Sequence, residues 1–172
     1  MEQRMSEGRN DQETASSASP EARLAELGFP VNVPPRGPRR PYEPLAQVGN
    51  IVYGSGNTSM DRHTGTVYSG QVGTEVDLDE ARVRARSAMI NALAGLKAHL
   101  GELARVKRFV RVTGYVNSAA GFTQQADVMN AASELLVEAF GESGRHARSA
   151  IGVAQLPGGA SVEVEVIVEV HD

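Results

Sequence analysis

The segment Ser161–Val170 constrains the chain most: Val162, Val164, Val166, Val168 and Val170 alternate with Glu163, Glu165, Ile167 and Glu169. A period of two puts the valines on one side of an extended strand and the glutamates on the other. No helix can segregate them so, and β-branched side chains favour the pleated surface. The chain therefore builds a sheet with one buried face, and something apolar must lie on that face.

Two other stretches supply the cover. After Asp77 or Asp79, either of which can cap a helix, Ala81, Ala85, Ala88, Met89, Ala92, Leu93, Leu96 and Leu100 recur at helical spacing. From Ala126 to Phe140, Met129, Ala132, Leu136 and Phe140 do the same, with Gly141 and Gly144 closing the helix. Further strands are expected in a hairpin around Val48, Ile51, Val52 and Tyr53 turning at Gly49-Asn50, and at Thr66–Ser69 after a turn over Asp61–Gly65. Val106–Val116 and Arg148–Ala154 complete the set, the latter leading through the turn Leu156-Pro157-Gly158-Gly159 into the last strand. The expectation is an α+β domain over residues 45–172: a single mixed sheet with two main helices on one face. The other face, where Ile167 stands among glutamates, is expected to be partly buried in an oligomer.

Ahead of this domain, residues 1–18 are polar and too poor in apolar groups to repay ordering, so a loose tail is expected. In residues 19–44, Ser19-Pro20 reads as the start of a short helix, a lid or clasp, with Leu24 and Leu27 on one face and Gly28 at its end. Six prolines between Pro30 and Pro44 then impose an extended connector that carries Tyr42.

Composition removes several classes of function. With no cysteine there is no disulfide, thiolate metal site or cysteine nucleophile. His63, His99, His146 and His171 lack metal-ligand spacing, and neither a G-x-S-x-G elbow nor a phosphate-cradling P-loop occurs. A net charge of −4 with mixed signs argues against nucleic acid as a partner. No apolar run suits a membrane span or a secretory signal, which makes the cytoplasm the expected location.

Three stretches carry a resemblance. Arg148-Ser149-Ala150-Ile151-Gly152-Val153-Ala154-Gln155-Leu156-Pro157 followed by Val162-Glu163-Val164-Glu165 resembles the signature R-S-x-V-x-V-x-x-L-P…V-E-I-E of the Rid (YjgF-type) family. Pro41-Tyr42 and Gly49-Asn50-Ile51-Val52-Tyr53-Gly54-Ser55-Gly56-Asn57 resemble its P-Y and G-N-x-x-x-x-S-G-Q, and Asn130 falls near the family's active-site asparagine. The resemblance spans roughly residues 40–170 and implies a chorismate-mutase-like homotrimer with clefts between subunits. It also implies cofactor-free hydrolysis of reactive imines and enamines, such as 2-aminoacrylate, to keto acids and ammonia. Carried over, Arg148 grips the substrate carboxylate, Glu163 holds or activates water, Tyr42 closes the pocket, and Ser55, Gly56, Asn130 and Ala150 line it.

Taken singly, each residue has a plainer reading. Arg148 is a strand-end charge, Glu163 the polar residue that alternation requires, Asn130 a mid-helix amide, Ser55-Gly56 a strand end, and Tyr42 an anchor for the connector. A cleft that holds a keto acid without chemistry, as a sensor or pathway accessory, is the alternative. The chain also departs from the family pattern. Ala150 stands where cysteine is frequent, Asn57 replaces glutamine, His146-Ala147 replaces Pro-Ala, and Asn117–Gln125 is longer than in short members. These departures place it in a longer branch whose substrate need not be 2-aminoacrylate. Some members have been labelled endoribonucleases, a label to which this acidic composition lends no support.

Overall fold

The computed structural model describes residues 18–31 and 41–172. The expected tail, apart from Ala18, and most of the proline-rich connector lie outside them. Helix α1 (Pro20–Glu26) starts as expected: Ser19 Oγ accepts from the amide of Ala22, and proline occupies the first turn. Leu24 is fully buried, whereas Leu27 is 40% exposed, so the two leucines do not share a buried face. The helix clasps the body of the domain through polar ends. Arg23 donates to the carbonyl of Ala139, and Glu21 accepts from the amide of Leu103 at 2.6 Å.

Strands β1 (Leu45–Val48) and β2 (Ile51–Gly54) form the expected hairpin, with Gly49 at φ 58° taking the left-handed position of its two-residue turn. Strand β3 is only Asn57–Thr58. Helix α2 (Leu78–Leu100) is capped by Asp77, which accepts from the amide of Glu80 at 2.9 Å, and all eight residues of its apolar series are buried. Then follow β4 (Val106–Asn117), α3 (Gln125–Phe140), a short 3-10 turn at Gly141–Gly144, β5 (Ala147–Val153) and β6 (Val162–Val170). The expected strand at Thr66–Ser69 does not form. Val67 and Ser69 make only isolated bridges, to Met60 and Ala160, because the chain here runs from the Asp61–Gly65 turn across the end of β6.

The sheet order is β1-β2-β6-β4-β5, with β3 continuing the β2 side of β6; β4 and β5 run parallel and the other pairs antiparallel. The five valines of β6 are at most 2% exposed, each side chain contributing about 1.5–3 kcal/mol on burial. Helices α2 and α3 cover this face. Helix α3 approaches closely because one row across the sheet, Val164–Gly114–Ala150, is small in the middle: a Cβ on Gly114 would fall on the side chain of Met129. In β4, register shifts between Val106 and Arg108 and between Phe109 and Arg111 break the simple alternation. They turn Val106, Phe109 and Val112 all toward the helices, where Phe109 meets Phe140 edge-on at 5.0 Å. Among the described residues no helix is long and apolar enough to cross a membrane.

Among the described residues nothing covers the opposite face of the sheet. Tyr53, Tyr115, Ile151 and Ile167 lie there among Arg111, Thr113, Ser149, Glu163 and Glu165. Tyr53 is 48% and Ile151 45% exposed, an apolar content unusual for a solvated face.

Candidate active site

Beside the edge strand β5, the guanidinium of Arg148 reaches back to α3. Its Nη1 donates to Ser133 Oγ at 3.1 Å and its Nη2 to the carbonyl of Ala126 at 3.3 Å. Ser133 also meets His146 Nε2 at 3.0 Å, and His146 Nδ1 lies 2.7 Å from the carbonyl of Gly144. Burial holds the imidazole below its usual pKa, and the neighbouring Arg148 charge acts in the same direction. Asn130 and Ser133, three residues apart on one face of α3, line a groove of about 330 Å³ with Glu134, Val137 and Glu138. Ala150 follows Arg148 on the same side of β5 and packs against the core.

A second cluster forms on the uncovered face. Glu163 pairs with Tyr115 of β4 and Thr58 of β3, beside the break between β2 and β3 at Ser55-Gly56. Gly56 abuts the carboxylate so closely that a Cβ there would overlap Glu163 Oε1. Ser55 uses both its backbone and its hydroxyl to hold the end of the connector: its amide donates to Pro44 O, and its Oγ to Glu43 O, each at 2.9 Å. That anchors Tyr42, half exposed, at the same end of the sheet. Burial raises the pKa of Glu163, and the charge of Glu165, two residues on, adds to the rise. Glu165 itself accepts from the Tyr115 hydroxyl at 3.1 Å.

The family comparison bears on both clusters. The profile of the family described as "YjgF/chorismate_mutase-like, putative endoribonuclease" matches residues 24–169. The chain belongs to this family. A relative from Dermatophagoides farinae, named 2-iminobutanoate/2-iminopropanoate deaminase, is 32% identical over 134 residues, 78% of this chain and 89% of the relative. The crystal structure of Atu1372, a protein of unknown function from Agrobacterium tumefaciens, is 40% identical and superposes with a TM-score of 0.82, covering 89% of this chain and 94% of that one. The YjgF gene product of E. coli is 25% identical, with a TM-score of 0.54 over 75% of this chain and 87% of its own.

Within one chain the YjgF-type residues do not line one cleft. Arg148, Asn130 and Ala150 belong to the α3 side; Glu163, Gly56, Ser55 and Tyr42 gather on the uncovered side. Arg148 is in register with Val112 and Val166, and Glu163 with Tyr115 and Ile151. Their backbones stand two strands apart, about 10 Å, and three residues offset, with side chains on opposite faces. The sequence reading passes over Ser133 and takes His146 only as a departure from the family's Pro-Ala, although the signal was present. Ser133 follows Asn130 by one helical turn, and His146 precedes Arg148 by the two residues that keep a side chain on one face.

Proposed function

We propose that this protein is a cofactor-free deaminase of small carboxylated imines and enamines, working as a homotrimer whose sites lie between subunits. The observation that carries the reading is the division of the family's residues into two polar clusters on opposite faces. The α3 side of one chain supplies a carboxylate grip, and the uncovered face of its neighbour supplies Glu163. The apolar content of that face supports an assembly through it, and the deaminase named among the relatives supports the chemistry.

Arg148, charged at any working pH, pairs with the substrate carboxylate and fixes which face of the C=N carbon meets water. Glu163, its pKa raised by burial, takes a proton from the water as oxygen adds to that carbon. Glu163 hands this proton on to the carbinolamine nitrogen, which leaves as ammonia while the hydroxyl gives up its own proton and the carbonyl of the keto acid forms. Asn130 lines the carboxylate side, while Tyr42, Ser55 and Gly56 close the other. The imine is already electrophilic, so no cofactor is needed.

The test is release of ammonia and keto acid from 2-iminobutanoate generated in situ. Arg148→Ala should lower kcat/KM by the worth of charged hydrogen bonds, about 1.5–3 kcal/mol, or roughly 10- to 150-fold. Undiminished turnover in that variant refutes the reading. Wild-type protein that binds 2-oxobutanoate but does not speed hydrolysis supports the accessory-protein alternative.

A further inference from the structure

Ser133 and His146 have no part in the reaction as written above, yet they are joined to its arginine by a directional chain of hydrogen bonds. The carbonyl of Gly144 can only accept, so the proton of the neutral imidazole sits on Nδ1, 2.7 Å away. Nε2 is then an acceptor, and the Ser133 hydroxyl at 3.0 Å donates to it. The oxygen of Ser133 in turn accepts from Arg148 Nη1 at 3.1 Å. In this state the serine hydrogen is committed to the imidazole and one arm of the guanidinium to the serine, so neither faces the groove.

A proton on Nε2 reverses the chain. The ring then has two donors; Ser133 accepts from Nε2 as well as from Arg148, and its own hydrogen is free to turn outward. Ser133 then offers the groove a hydroxyl donor, and a second positive charge stands behind it beside Arg148; both favour a carboxylate. The charged group facing His146 is Arg148, from β5. On the turn before β5, Glu142 and Arg145 pair with each other at 3.0 Å, and on α3, Glu134 and Glu138 are engaged by Arg82 and Arg86 of α2. Among the described residues no acidic side chain is thus committed to His146, and an incoming carboxylate meets an imidazole that none of them has already paired.

We propose that Ser133 and His146 form a proton-coupled second arm of the carboxylate clamp: His146 takes up a proton as the carboxylate binds, and Ser133 turns its hydroxyl to the substrate. Ser133 touches the ligand; His146 is a positioning residue that acts through it. The inference rests on the reading that Arg148 binds a carboxylate.

The experiment uses 2-oxobutanoate as a probe that cannot be deaminated. Calorimetric titrations from pH 5.5 to 8.5 compare wild type, Ser133→Ala, His146→Gln and Arg148→Ala in buffers of different ionisation heat, with ring NMR of His146 alongside. One coupled proton makes the wild-type Kd rise with pH by up to about tenfold per unit between the imidazole pKa values of the free and bound states. The His146 signal should move toward the protonated form on binding. His146→Gln should lose the slope and the proton uptake, and Ser133→Ala should weaken both, each keeping a melting temperature near wild type. If both retain the wild-type slope and the ring signal is unmoved, the proposal is overturned, and loss of binding in Arg148→Ala then leaves the deaminase reading standing. Equal binding by Arg148→Ala, or no binding by wild type, removes the carboxylate grip and this inference with it.

Discussion

Replacing Gly56 by alanine separates the position of the Glu163 carboxylate from the stability of the fold. The three nearest neighbours of a Cβ at this position all belong to Glu163: it would overlap Oε1 and stand 2.8 Å from Cδ and 3.3 Å from Cγ. Gly56 is not in the left-handed region, so alanine fits its backbone. The obstacle is the end of a flexible side chain, which must swing aside by roughly 1.5 Å to regain van der Waals contact. An off-rotamer carboxylate costs about 0.5–1.5 kcal/mol, offset by about 0.4–1 kcal/mol from the reduced entropy of the unfolded chain, so the melting temperature should stay within a few degrees of wild type. Catalysis should not be spared. A misplacement of about 1 Å can cost on the order of 100-fold, or about 2.7 kcal/mol of barrier. Gly56→Ala is therefore expected to lose about two orders of magnitude in kcat/KM for 2-iminobutanoate, read beside a calorimetric melting curve. A variant within threefold of wild type would show that Glu163 need not sit where Gly56 admits it, and the water-activating role would fall.

Two further outcomes follow from the same packing. Because burial in the fold raises the pKa of Glu163 above the ordinary carboxylate range, the stabilising share of this group is complete below its unfolded pKa and is lost as pH rises through the folded one. Glu163→Gln should thus be more stable than wild type at pH 7.5, with the gap closing toward pH 4 in urea titrations; a gap independent of pH contradicts the burial argument. Gly114→Ala drives a methyl group into Met129 beneath α3 and should cost about 1–3 kcal/mol, a fall of roughly 3–10 °C in melting temperature. An unchanged transition would mean that α3 does not sit so close to β4.

How much of this was legible in the sequence depended on which interactions write the pattern. The valines of β6 and the apolar series of α2 announce their elements because each repeats a local period against a single core. Strand β3 is two residues long and exists only because β6 offers an edge there, and Thr66–Ser69, with strand-like residues, finds only single bridges. The register shifts in β4 are equally non-local, so Lys107 and Val110 could not be recognised in advance as the residues that break the alternation. At the candidate site, the family pattern points to residues but carries nothing about their facing. Glu163 was readable, since its neighbours Val162 and Val164 point to the core. Arg148 was not, because β5 alternates Ala147, Ser149 and Ile151 with Arg148, Ala150 and Gly152, and neither series is marked as apolar.

The placement of Arg148 and Glu163 on opposite faces of one sheet changes what a defective copy means. In the assembly proposed above, every cleft takes its guanidinium from one chain and its carboxylate from the next, so no chain is the owner of a site. A subunit damaged at Arg148 still lends a sound Glu163 to one neighbour, and a subunit damaged at Glu163 still lends a sound Arg148. Co-assembled, two kinds of inactive chain would regenerate some intact clefts between them, and the unit on which damage acts becomes the contact between copies rather than the gene product itself.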